Sequence, residues 1–231
     1  MITSKLNMSP AHLVMTLLAL ASASVSPLAF TVSATGVISM HALGLYAILP
    51  ALVVWIALMA ISAAAGYLRL LKAGFLALAT GFFATLAMEI VRIIGFRFFA
   101  AMPGSLPMLI GVQLSDQFMD GPDAWSNFIG WGDHLWNGIG FAFIYIVVLG
   151  RAHWWVGVLY GIMIATVFMI SPVMSIIGAG PFGQDFSPIK FPVTVYLAHM
   201  AYGLTLGGLV YRSVQWAPDS SLLGRLFSEG P

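Results

Sequence analysis

Six apolar stretches, each long enough to cross a lipid bilayer, constrain the fold of this chain more than any other feature. A hydrocarbon core about 30 Å thick requires roughly 20 apolar residues per helix, at a rise of about 1.5 Å each. The stretches cover residues 11–32, 37–65, 74–98, 131–149, 154–178 and 192–211. They predict an all-α polytopic integral membrane protein with six transmembrane helices, in which residues 1–231 form a single membrane domain.

The composition agrees with this fold class and narrows the classes of function. Hydrophobic residues make up 60% of the 231 positions and charged residues 7%, against roughly 25% charged residues in soluble domains. The net charge of +1 supplies no extended basic surface, so no nucleic-acid partner is expected. We expect the lipid bilayer as the main partner, with a membrane-protein partner or a homo-oligomer as the further association. Cysteine is absent, which excludes disulfides, thiolate metal sites and cysteine nucleophiles.

The basic residues fall mostly on one side of the predicted bundle. With the amino terminus inside, six of them lie in cytoplasmic segments, namely Lys5, Arg69, Lys72, Arg151, Arg212 and Arg225. The opposite side holds two basic residues and four aspartates, namely Arg97, Lys190, Asp116, Asp120, Asp123 and Asp185. Because basic loops stay in the cytoplasm, both termini are predicted to be cytoplasmic, in a bacterial inner (plasma) membrane. A signal peptide is the alternative for the first stretch, since Lys5 precedes an apolar run with an Ala-x-Ala pattern.

The longest connection, residues 101–130, is predicted to lie outside and to contain an interfacial helix. It is either a lid or binding element or a plain surface excursion. Two small-x-x-x-small pairs, Gly157 with Gly161 and Gly203 with Gly207, predict close helix contacts. Pro172 interrupts the outer half of the fifth predicted helix, where we expect a kink.

A few polar residues lie inside the predicted spans, where a charged side chain costs at least about 2.5 kcal/mol at the helix centre. Glu89 and Arg92 are three positions apart on one helix face, so they are predicted to pair. The other candidates are Asp133, His134 and Asn137 at the start of the fourth helix, His199 in the sixth and His41 in the second. Counted at about 1.5 Å per residue, the three histidines and Glu89 lie roughly 5–12 Å from the outer ends. We therefore hypothesise a shared site in the outer half.

Three functions are compatible with these residues. In the leading hypothesis His134, His199, Glu89 and His41 bind a divalent metal ion, or two of the histidines ligate haem iron. No diagnostic spacing such as His-x-x-x-His or Glu-x-x-His supports it. The alternatives are a permease or proton-linked channel using Glu89 and His199, and an accessory subunit with no site of its own. In the last case the histidines bond across helices and Asp133 caps its own helix.

Whether the chain is an enzyme stays open, because no nucleophile and base set or phosphate loop of recognisable spacing appears.

Three features of residues 131–212 resemble the uncharacterised bacterial inner-membrane proteins of the YagU type. His134 opens one helix in the segment Gly-Trp-Gly-Asp-His, the next helix begins Trp-x-Gly-x-x-x-Gly at Trp155 and carries Pro172, and the last contains His199. The resemblance implies an inner-membrane location and draws attention to His134 and His199, but it implies no particular activity.

Overall fold

The computed structural model describes residues 9–213, and all regular structure in this part of the chain is helical. In chain order the helices are α1 (Pro10–Ser33), α2 (Met40–Ala64), α3 (Leu68–Phe99), α4 (Leu106–Leu114), α5 (Ala124–Leu149), α6 (Trp154–Ile170), α7 (Val173–Ile176) and α8 (Lys190–Arg212). A π-helical turn, Gly44–Ile48, interrupts α2, and a 3-10 turn, Pro181–Gly183, precedes α8. Lys5 and Arg225, used above to orient the chain, lie outside the described residues.

Five of these helices, α1, α2, α3, α5 and α8, are long and apolar enough to cross a membrane. Helix α6, which begins the fifth predicted stretch, has 17 residues and is about 25 Å long. It is therefore shorter than the hydrocarbon core of about 30 Å. The all-helical architecture is therefore confirmed, and the five apolar helices agree with a multi-pass membrane protein.

Helix boundaries depart from the hydropathy pattern where polar residues or proline decide them. Helix α5 begins at Ala124, seven residues before the apolar stretch, because Asp123 caps it: the Ser126 backbone N–H donates to Asp123 Oδ1 at 2.7 Å, and the Asp123 N–H to Ser126 Oγ at 2.9 Å. Helix α6 ends at Ile170 because Ser171, which precedes Pro172, is extended. The expected kink at Pro172 is instead a break, after which the chain resumes in α7.

Helix α5 is the central element of the bundle and packs against α1, α3 and α4, whereas α8 packs against α3 and α6. The predicted glycine contacts join α6 to α8. A side chain at Gly157 would overlap the Gly203 carbonyl, and one at Gly161 would overlap the His199 carbonyl. Because only small residues let two backbones approach so closely, these positions fix α6 against α8.

Candidate functional site

The helical bundle contains a buried ion pair that extends to a third side chain. Arg92 Nη1 donates to Glu89 Oε1 at 2.6 Å, within one turn of α3, as the spacing predicts. His134 Nε2 on α5 lies 3.0 Å from the same oxygen. All three side chains are 10% exposed or less. Because a carboxylate only accepts hydrogen bonds, His134 carries its proton on Nε2, and both donors share one acceptor.

Close packing between α3 and α5 brings these residues together. A side chain at Gly138 would overlap the Thr85 hydroxyl, and one at Gly81 would overlap the backbone of Ile139. Glu89 is one turn beyond Thr85 on α3, and His134 is one turn before Gly138 on α5. Since residues four apart share a helix face, the contact at Gly138 sets the register in which Glu89 and His134 meet.

Asp133, next to His134 on α5, contacts a different helix. The Ser26 hydroxyl of α1 donates to Asp133 Oδ1 at 2.9 Å, and both residues are buried. Asp133 lies in the third turn of α5, so it does not cap the helix, and the expectation that it does is wrong because Asp123 takes that role. Sequence reasoning missed Ser26, whose signal was only a polar residue within an apolar stretch.

His199 lies near the cluster without a hydrogen bond to it. Its Nδ1–H donates to the Val195 carbonyl at 2.8 Å, and its ring lies against Phe168 with the centroids 6.2 Å apart. Tyr202, one turn along α8, donates from its hydroxyl to the Gly138 carbonyl at 2.6 Å. This bond ties α8 to α5 at the glycine that sets the register of the cluster.

His41 does not join the other candidates. Its Nδ1 lies 2.7 Å from the Leu114 carbonyl, so the ring holds the last residue of α4 to α2. Equal depth along two helices therefore does not imply lateral proximity. The histidine has a structural partner outside the cluster.

A cavity of about 230 Å³ lies beside the ion pair, between α1, α3, α5, α6 and α8. Six polar side chains line it, namely Thr31, Arg92, His134, Asn137, His199 and Tyr202. Most of the wall is apolar, including Phe30, Met88, Phe141, Ile164 and Val195. Sequence reasoning found the polar part of this cavity and missed the apolar wall, because apolar residues carry no distinguishing signal within apolar spans.

The arrangement bears on the metal and haem hypotheses, which stay predictions. Within residues 9–213, no three His, Asp or Glu side chains are grouped closely enough to hold a metal ion. The guanidinium of Arg92 and the ring of His134 also both contact Glu89 Oε1. Haem is larger than a drug-sized ligand, whereas the cavity is below the roughly 300–1,000 Å³ that such ligands occupy.

Comparison of the chain with protein-family models, curated proteins and solved structures finds no match. The resemblance to the YagU-type proteins therefore stays a prediction, and the functional argument rests on the site alone.

Proposed function

We propose that this chain is an inner-membrane protein with six membrane-spanning helices and cytoplasmic termini, and that it binds a small amphipathic molecule in the cavity beside Arg92. The charge distribution supports the topology. Of the described residues, Arg69, Lys72, Arg151 and Arg212 lie on the side assigned to the cytoplasm, and four aspartates lie opposite. Helix α6 would complete the set of six spans, with α7 adding length beyond Pro172.

The observation that carries the binding proposal is the lining of the cavity. Apolar walls with a few convergent polar groups are the usual construction of a small-molecule site. Arg92 has five N–H donors, and its hydrogen bond to Glu89 uses one nitrogen, Nη1. His199 uses Nδ1 for the Val195 carbonyl, which leaves Nε2 for another partner. An amphipathic ligand would place its polar end against the remaining Arg92 N–H donors and the His199 Nε2 acceptor, and its apolar part against the wall.

The geometry favours this function over a metal centre. A metal site requires several ligand atoms that converge on one point. Here Glu89 is shared between two donors, and His199 is bonded within its own helix. A cation at Glu89 would lie next to the positive charge of Arg92, whereas an anionic or neutral polar group would not be repelled by it.

Native mass spectrometry of the purified protein tests the proposal. We expect a bound small molecule on the wild-type protein that is lost from Val195→Phe, since Val195 is buried and lines the cavity. Val193→Phe is the matched control, because Val193 lies on the same helix, is exposed and is not part of the wall. Ile164→Phe fills the cavity from α6 if the first variant fails to fold. Equal occupancy in the filled and control variants would overturn the proposal.

A proton-linked permease is the second candidate, favoured by two buried carboxyl groups on opposite sides of α5. Glu89 contacts His134, and Asp133 contacts Ser26. Intramembrane carboxyl groups commonly serve proton relays. Flux of protons into proteoliposomes, compared between wild type and Glu89→Gln, decides this candidate. Unchanged flux in that variant would exclude Glu89 from any proton path.

A further inference from the structure

The cavity opens at the lipid-facing surface of the bundle. Met163 and Val167, one turn apart on α6, both line the cavity, yet they are 51% and 58% exposed. Counted from Trp154 at about 1.5 Å per residue, they lie roughly 14 Å and 20 Å from the inner end of α6. In a hydrocarbon core about 30 Å thick, that depth is the middle and outer part of the acyl-chain region.

Packed side chains bound the opening beside Met163 and Val167, called the mouth below, on its inner and outer sides. On the inner side the Tyr160 hydroxyl donates to the Phe141 carbonyl at 3.0 Å and ties α6 to α5. On the outer side Phe30, Ile110 and Val173 are buried in one apolar cluster. The mouth between these two closures therefore faces acyl chains, and the outer aqueous phase is screened from it.

The polar end of the cavity presents hydrogen-bond donors. Arg92 and His134 line the cavity, whereas the Glu89 carboxylate that they share is not part of the wall. Asn137 adds an amide N–H donor at this end, whereas His134 Nδ1 and His199 Nε2 are acceptors, since the N–H of each ring is already bonded. The remaining N–H groups of Arg92, with the amide of Asn137, complement an anionic, oxygen-rich group, because hydrogen bonds from arginine to carboxylate or phosphate are charge-assisted.

The size of the cavity limits how much of a ligand it encloses. A volume of about 230 Å³ is below the roughly 300–1,000 Å³ of sites that bury a drug-sized molecule. A ligand longer than the cavity must extend through the mouth. The mouth leads to acyl chains, so the extending part is apolar.

We propose that the ligand is a single-chain anionic lipid that enters sideways from the bilayer, with its acidic head at Arg92 and its chain leaving between Met163 and Val167. This proposal rests on the proposed function, since it names the ligand class of the same cavity. Carboxylate and phosphate heads share the chemistry that Arg92 recognises. A tail-free anion such as acetate or inorganic phosphate lacks the chain that the mouth accommodates.

The test uses photoactivatable palmitate in phosphatidylcholine vesicles that contain the full-length protein, with labelled peptides mapped by mass spectrometry. We expect labelling around Met163 and Val167 that unlabelled palmitate and lysophosphatidic acid compete away. Hexadecanol, which lacks the charge, and acetate or phosphate, which lack the chain, should compete at least about tenfold less well, as expected for a charged hydrogen bond. Equal competition by hexadecanol would overturn the anionic head, and equal competition by the tail-free anions would overturn the role of the chain.

Two pairs of variants test the head and the mouth separately. Arg92→Gln should weaken labelling at least about tenfold, whereas Arg97→Gln, on the same helix but exposed, should not. Val167→Trp should block the mouth without disturbing the core, whereas Ile170→Trp, exposed on the same helix and outside the cavity wall, should not. Unchanged labelling in Val167→Trp, together with loss in Val195→Phe, would overturn lateral entry and leave the proposed function standing. If neither Val167→Trp nor Val195→Phe reduced labelling, both lateral entry and the proposed function would be overturned.

Discussion

Replacing Glu89 by Met should destabilise the protein more than replacing Arg92 by Met, although the two residues form one ion pair. Arg92 Nη1 and His134 Nε2 both donate to Glu89 Oε1, at 2.6 Å and 3.0 Å. In Glu89→Met both donors lose their acceptor, and the guanidinium is left buried without a counter-charge. In Arg92→Met the carboxylate keeps the hydrogen bond from His134.

The burial of the cluster sets the size of this difference. The three side chains are 7–10% exposed, so solvent screens them little. Removing one partner of a buried ion pair costs about 3–5 kcal/mol, which is the loss expected for Glu89→Met. Arg92→Met also leaves a buried charge without its counter-charge, but the carboxylate keeps the hydrogen bond from His134, so its loss should be smaller than that of Glu89→Met by about 1.5–3 kcal/mol, the value of one hydrogen bond to a charged group. The double variant leaves no charge of this pair unpaired, so its loss should be smaller than the sum of the two single losses.

The measurement is the free energy of unfolding in mixed micelles titrated with dodecyl sulfate and followed by far-UV circular dichroism. Arg97→Met is the matched control, because Arg97 is exposed near the end of the same helix, and it should change the free energy by less than about 0.5 kcal/mol. A larger loss in Arg92→Met than in Glu89→Met would refute the shared acceptor. Strict additivity of the two single losses would refute the ion pair as an energetic unit.

Two further predictions concern the helix contact and the helix cap. Gly203→Ala should lower the free energy of unfolding by about 1–3 kcal/mol, because the added carbon overlaps the Gly157 carbonyl. Gly208→Ala, with open space at that position, should instead stabilise α8 by up to about 1 kcal/mol. Equal thermal midpoints of the two variants would contradict the backbone contact. The Ser126 backbone N–H holds the pKa of Asp123 below its usual range. The ionised carboxylate therefore stabilises the fold fully at pH values above its unfolded pKa of about 3.9, and this stabilisation is lost as the pH falls through the lower pKa of the folded state. The difference in thermal midpoint between wild type and Asp123→Ala should therefore be constant near neutral pH and shrink in acid, with Asp120→Ala as the loop control; a difference that grows in acid would contradict the cap.

Much of the fold follows from hydropathy, because apolar length alone identifies a helix that crosses a bilayer. Hydropathy fails at the ends of helices, where polar atoms decide. The cap at Asp123 adds about two turns to α5 that a count of apolar residues does not include, and Pro172 ends α6 within a stretch that stays apolar. Both signals were present in the sequence. They act through local hydrogen bonds and steric contacts. A hydropathy scale, which measures only the free energy of transferring a side chain from water to an apolar phase, does not include these effects.

The candidate site was predictable in depth and unpredictable in lateral position. The spacing of Glu89 and Arg92 fixes their pairing, since both lie on one helix. The meeting of Glu89 with His134 depends on the register of α3 against α5, which the contact between Thr85 and Gly138 determines. His41 shows the limit of the argument from depth, because its predicted depth is similar to that of the cluster and it still contacts α4 instead.

The position of α6 links the stability of the bundle to the proposed site. Gly157 and Gly161 hold α6 against the backbone of α8, whereas α6 meets α5 at Tyr160, whose hydroxyl donates to the Phe141 carbonyl and whose ring contacts Phe141 and Tyr145. The width of the mouth is therefore set by how closely α6 approaches α8. A methyl group at Gly157 would push α6 away from α8 and change both the stability and the mouth. Variants at this contact should alter unfolding and lipid labelling together, whereas Val167→Trp should alter labelling alone, because Val167 fills the mouth without touching the contact that places α6.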